Sequence, residues 1–209
     1  QIDTWVEWLN FFRFADNPQR AAFYRPLPTQ LFFWLGDTLF GLEALPYYLL
    51  NLTFFCLSLW LLKQLLYRLT HSGWLSWASV MFYAISQTHF THLYFLSAAQ
   101  EVWLVGLLLL SLLFALSLQN GWKSWLLVWL SYVGALMSKE TAIVTPVLML
   151  MVLVWRQYQA NQKSEWQAYW HAVIQERLVM WVGLAVISLA YLYLRLGVFG
   201  FNPTTDTAY

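Results

Sequence analysis

"GALMSKETAIVTP", residues 134–146, places Lys139 and Glu140 side by side between two apolar runs. In one unbroken crossing, each charge would cost about 2.5 to 3.5 kcal/mol near the bilayer centre. A turn at the membrane surface avoids that cost, so the stretch reads as the joint between two crossings. Ser138 is the expected N-cap of the second helix, which runs on to Trp155 and holds Lys139 and Glu140 in its first turn. A lysine beside a helix N-terminus attracts anions. Glu140 suits the positive helix start and Lys139 does not, so the dipole explains only half of the pair. Pro146 falls beyond the first turn and is expected to kink or loosen the helix.

Composition agrees with a membrane setting. The 209 residues are 60% hydrophobic, 20% aromatic and 10% charged, where a soluble domain carries roughly 25% charge. The net charge of +1 offers no basic stripe to neutralise phosphates, which excludes nucleic acid as a partner. Cys56 is the single cysteine, so neither a disulfide framework nor a zinc site is built from thiols. The first residue is Gln1, in polar sequence, and the chain stops just after an apolar run. It therefore reads as a piece of a longer protein, with no signal peptide in view. No linker, low-complexity tract or internal repeat is present, so residues 1–209 read as one transmembrane domain.

A crossing needs about 20 apolar residues, fewer where flanking groups snorkel. Six segments are expected to cross: Pro46–Leu69, Trp74–Ile85, Val102–Leu118, Trp125–Met137, Thr141–Trp155 and Leu178–Leu194. The fold class expected is thus all-α, a polytopic bundle of about six transmembrane helices with interfacial helices beside them. Residues 27–46 hold Asp37 and Glu43 between prolines and read as an interfacial or re-entrant helix within an outer segment, 1–45. Residues 195–209 read as the start of the next outer loop.

Loop parity assigns sides. With 1–45 outside, the inside loops carry Lys63, Arg68, Lys123, Arg156, Lys163 and Arg177, while the short outside loops carry only Lys139. The longer first segment holds Arg13, Arg20 and Arg25. The short loops follow the positive-inside bias, which puts "YRPL", "SQTHFTH" and "SKE" on the extracytoplasmic face. In the inner loop 156–177, Ser164 can cap a helix with Gln167 reaching back. Trp166, Trp170, Val173 and Ile174 share one side of it, as in an interfacial helix.

Several residues on the outer face could carry chemistry. Arg25, beside Tyr24, presents a planar fork suited to phosphate, or snorkels as an interfacial arginine, and Pro26 can open the next helix. His89 and His92 stand at i, i+3 and would share a helical face; no further metal ligand lies near them in sequence, and hydrogen bonding to a polar substrate suits them better. Gln100 and Glu101 enter a long apolar run, where the acid complements the helix start. Asn51 in "NLT" matches a glycosylation sequon but lies inside a span, so it reads as buried. There is no Gly-rich phosphate loop, nucleophile elbow or zincin motif.

Together, "YRPLPTQLFFWLGDTLFGLEALPYYLLNLTFF", "YAISQTHFTHLYFLSAAQE" and "SKE" resemble the GT-C class of polytopic glycosyltransferases. The nearest likeness is to the protein O-mannosyltransferase relatives that carry tetratricopeptide repeats, and to their bacterial counterparts. It covers most of residues 22–150. His89 matches a family histidine, Glu101 a closing glutamate, and Ser138, Lys139 and Glu140 the serine-lysine-glutamate motif. Ser86, Gln87, Thr91 and Ala99 replace a histidine, a proline, an acid and an arginine, and His92 matches nothing.

The resemblance implies transfer of a sugar from a polyprenyl-phosphate-linked donor to an acceptor hydroxyl, on a protein or glycan. The reaction face is extracytoplasmic, in a bacterial inner membrane or the endoplasmic reticulum. Arg25 and Lys139 are the implied holders of the donor phosphate, with Tyr24, His89, Glu101 and Glu140 as polar groups of the site. A carboxylate base is expected before Gln1; Asp3 or Glu7 could stand in, but no motif supports either. Nothing in the motifs fixes a need for a divalent metal. A second reading keeps the fold without catalysis, as a scaffold or lipid-binding subunit of a larger membrane complex. A transporter or channel would show ionisable pairs deep in several spans or repeated halves, and neither is evident.

Overall fold

The computed structural model describes residues 25–117, 122–160 and 171–198. Tyr24, Asp3, Glu7, Arg13, Arg20, Lys163 and the 164–170 part of the expected inner helix lie outside the described residues, as do 199–209.

The described chain is all-helical, with no strand. That is the state in which an apolar segment satisfies its own backbone groups in lipid. A π-helical turn, Pro26–Leu31, leads into α1, Phe32–Phe40. Then follow α2 (Ala44–Thr70), α3 (Gly73–Ala84), α4 (Thr88–Tyr94), α5 (Ala99–Ser117) and α6 (Trp122–Ser138). A 3-10 stretch, Glu140–Val144, opens into α7, Thr145–Ala160. After a π-helical turn at His171–Gln175, α8 (Leu178–Tyr193) continues as π-helix through Leu194–Val198.

Four of these elements are long and apolar enough to cross a membrane: Ala44–Thr70, Ala99–Ser117, Glu140–Ala160 and Leu178–Gly197. The other two expected crossings are shorter. α3 has 12 residues, about 18 Å at 1.5 Å per residue, and α6 has 17, about 25 Å, against a hydrocarbon core of about 30 Å.

Helix ends follow local chemistry. α2 stops where His71 turns left-handed (φ 54°) and its N–H bonds the Tyr67 carbonyl at 2.9 Å. Ser72 then caps α3, its hydroxyl accepting from the Leu75 N–H at 3.3 Å. Asn51 is fully buried, as expected, and its amide donates to the His92 carbonyl at 3.0 Å.

Three expectations at the joint and at the C-terminal end are corrected. Ser138 is not an N-cap: it is the last residue of α6, and its hydroxyl turns back to the Gly134 carbonyl at 2.9 Å. Lys139, in extended backbone, holds the cap position without a side-chain cap bond. Because 3-10 geometry takes up Glu140–Val144, Pro146 sits in the first turn of α7, where its missing N–H breaks no helical bond. Residues 195–198 remain helical rather than starting a loop.

α5 is the central helix. Half of its apolar window is buried inside the bundle, compared with 17–22% for the other three long helices. Leu112, Leu116, Val128, Tyr132, Met149 and Met180 form the core around it. Small residues let the helices close up: Gly106 lies under Ser58, Gly134 under Leu107, and Gly183 under the Trp129 indole. Polar groups tie the seams, with Trp129 Nε1 donating to the Met180 carbonyl at 3.2 Å and Tyr132 Oη 2.8 Å from Ser188 Oγ.

Candidate functional site

Arg25 precedes a proline, which disfavours the α region; its φ of −136° and ψ of 68° hold it outside the π-helical turn that starts at Pro26. From there its guanidinium reaches two distant parts of the chain. Nε and Nη2 donate to the two oxygens of Glu140 at 3.2 and 2.7 Å, and Nη1 donates to Gln100 Oε1 at 2.6 Å. The planar fork meets both carboxylate oxygens, the strongest geometry an arginine offers an acid.

Lys139 lies between α6 and the 3-10 stretch, and its ammonium pairs with Glu101 in the first turn of α5. Two adjacent residues of the joint thus face two adjacent residues of α5: Glu140 through Arg25 to Gln100, and Lys139 directly to Glu101. Glu101 is thus the expected acid at the helix start, and the structure adds its pairing with a cation.

Arg195 joins this cluster. It is 8% exposed and close enough to Glu140 to act on its charge. Sequence reasoning passed over it as the first residue of a loop. The available signal was a single cation interrupting an apolar stretch at the end of a span. Among the described residues the cluster brings Arg25, Lys139 and Arg195 together with Glu101 and Glu140.

A cleft of about 230 Å³ adjoins the cluster through Glu101. Ser58, Tyr83, Thr88, His89 and His92 provide its polar lining, and Phe55, Val102 and Val105 its apolar part. His89 stacks near Tyr83 and Phe55, with ring centroids 4.3 and 5.1 Å away. Burial and then the neighbouring His92 hold the His89 imidazole below its ordinary pKa, against a backbone hydrogen bond at Tyr83 that raises it. His89 is therefore biased to the neutral form, with one donor and one acceptor nitrogen. His89 Nε2 and His92 Nδ1 are buried without a hydrogen-bond partner among the described residues.

The two histidines do share a region of α4, with ring centroids 6.5 Å apart. Among the described residues no group of three or more His, Cys, Asp or Glu could hold a metal ion. Of the residues singled out in the sequence, Arg25, Gln100, Glu101, Lys139, Glu140 and His89 lie at one end of the bundle. Tyr24 lies outside the described residues.

No protein-family model, curated protein or solved structure matches this chain.

Proposed function

We propose that the protein is an integral membrane glycosyltransferase of the GT-C type, moving a sugar from a polyprenyl-phosphate-linked donor to an acceptor hydroxyl. One observation carries this reading: Arg25, Lys139 and Arg195 gather beside a cleft lined by hydroxyl and imidazole groups. Cations gathered there complement the charge that a lipid phosphate gains as it leaves the sugar. Oriented donors at such a point stabilise the transition state more than the ground state. In this reading α3 and α6 also cross, making six passes, and the cluster faces the extracytoplasmic side.

The step is an inverting displacement. The acceptor oxygen bonds to the anomeric carbon, the bond from that carbon to the phosphate oxygen breaks, and the acceptor proton passes to a carboxylate base. Arg25 and Lys139 hold the departing phosphate, and Arg195 adds to the field around them. Glu140 and Glu101 aim the two cations, and His89 accepts from a hydroxyl in the cleft.

The test is a transfer assay on the intact protein in proteoliposomes with a polyprenyl-phosphate sugar. Lys139→Ala and Arg25→Ala are each expected to lower turnover by about 100-fold or more. Full turnover in both folded variants would remove the phosphate-holding role.

A non-catalytic scaffold or lipid-binding subunit is the second reading, favoured by the ion pairs themselves. Arg25 and Lys139 each already meet a carboxylate, so the cluster also works as a tie between α5 and the joint. Under this reading wild-type protein binds the lipid phosphate without turnover.

A further inference from the structure

Three arginines from three separate parts of the chain converge on the opposite end of the bundle, at the C-terminus of α5. Arg68, near the end of α2, donates through Nη1 to Ser117 Oγ and, at 3.5 Å, to the Leu113 carbonyl. Arg156 of α7 donates to the Leu116 carbonyl. Arg177, just before α8, donates to the Ala115 carbonyl at 2.6 Å. The last four carbonyls of a helix lack intrahelical partners, and cations near them are favoured.

Capping does not use up this much charge. The helix end supplies roughly half a negative charge, set against three guanidinium groups. Among the described residues Glu176 is the one acid whose charge is felt at Arg177, and it is exposed and 4.0 Å from His171. Burial and then the proximity of Arg156 both lower the pKa of Arg177, so the cations work against one another.

Arg68 and Arg156 are exposed, so their charge is accessible. The aromatic residues around them set their depth. Trp155 Nε1 donates to the Leu69 carbonyl at 3.4 Å, and Tyr158 packs near it at 6.2 Å between ring centroids. Both rings and Tyr67 are about half exposed, as in the aromatic belt at headgroup level. Basic pockets between transmembrane helices at that depth suit anionic headgroups.

We propose that Arg68, Arg156 and Arg177 form a binding site for the phosphate headgroup of an anionic phospholipid in the leaflet at this end of the bundle. The site is independent of the cluster around Arg25 and of any transfer activity. The arginines hold the α5 terminus through one nitrogen each and offer their remaining N–H groups to the phosphate oxygens.

The experiment is native mass spectrometry and thermal unfolding of the delipidated intact protein, with added phosphatidylglycerol or phosphatidylcholine. Phosphatidylglycerol is expected to bind preferentially and to raise the unfolding temperature. Arg68→Gln, Arg156→Gln and Arg177→Gln, which keep a donor but lose the charge, should each weaken that preference about fivefold. Lys123→Gln, at the same end but outside the triad, should leave it unchanged.

Equal retention of both lipids by wild-type protein overturns the site, whether or not the variants fold. An equal loss in Lys123→Gln also overturns it, because diffuse attraction to the surface would then suffice. Inorganic phosphate that stabilises the protein as well as phosphatidylglycerol would assign the triad to a soluble anion and overturn the lipid proposal.

Discussion

Arg25 and Glu140 stand 115 positions apart in sequence yet share two hydrogen bonds in a partly buried setting. Removing one member strands the other charge, which costs 3–5 kcal/mol in a deeply buried pair. The Glu140 side chain is 37% exposed, so Arg25→Leu is expected to cost less, about 1–3 kcal/mol in denaturant unfolding. Adding Glu140→Leu should recover part of the loss; a double-mutant cycle without coupling would dismiss the pair as a tie. His89 gives a pH signature. Its pKa is lowered in the fold, so the unfolded chain takes up a proton first as pH falls. Stability is full above about 6.5, the ordinary histidine value, and declines as pH drops from there towards the folded pKa. Thermal unfolding from about pH 8 to about pH 5 should show this decline, and His89→Gln should flatten it. An identical profile in the variant would assign the effect to another group. Arg25, Glu101 and Lys139 were legible because charge beside an apolar run is costly and few residues bear that cost. Their pairing was not, since nothing local to residue 25 names residue 140 as its partner.

At the level of elements, the seam between α6 and α8 leaves no room for a side chain at Gly183. A Cβ added at Gly183 would lie 2.3 Å from the Trp129 ring, whose Nε1 is also tied to Met180. Gly183→Ala is therefore expected to cost about 1–3 kcal/mol through overpacking. At Gly134 the nearest atom is the end of the Leu107 side chain, 3.2 Å away. That methyl can swing aside, so Gly134→Ala should cost under about 1 kcal/mol; equal losses at the two sites would contradict this account of the seams. Apolar runs fixed where α2, α5 and α8 lie to within a few residues. The joint was harder to read, because a serine before an acid looks like a cap whether it ends one helix or begins the next. Here the Gly134 carbonyl decided it by accepting the Ser138 hydroxyl, and the 3-10 stretch then moved Pro146 into the first turn of α7.

Across the whole molecule the two ends differ in charge chemistry. Arg25, Glu101, Lys139, Glu140 and Arg195 form a mixed cluster beside the cleft, whereas Arg68, Arg156 and Arg177 gather at the far end of α5, a helix of 19 residues and about 28 Å. In a Cys56→Ser background, cysteines placed at Lys139 and Lys123 should therefore label from opposite sides of sealed vesicles with a membrane-impermeant maleimide. Labelling from one side would overturn the sidedness and make α6 a helix that does not cross. By itself the sequence determined the membrane setting, the all-helical class and the gathering of polar motifs at one end, because hydrocarbon penalises charge and unpaired backbone wherever they occur. The tertiary structure alone decided which charge meets which, that Arg195 belongs with Glu140, and that three arginines share one helix terminus. Those pairings depend on how the neighbouring helices lean on α5, and helix packing is set by side-chain shape across seams that no local pattern records.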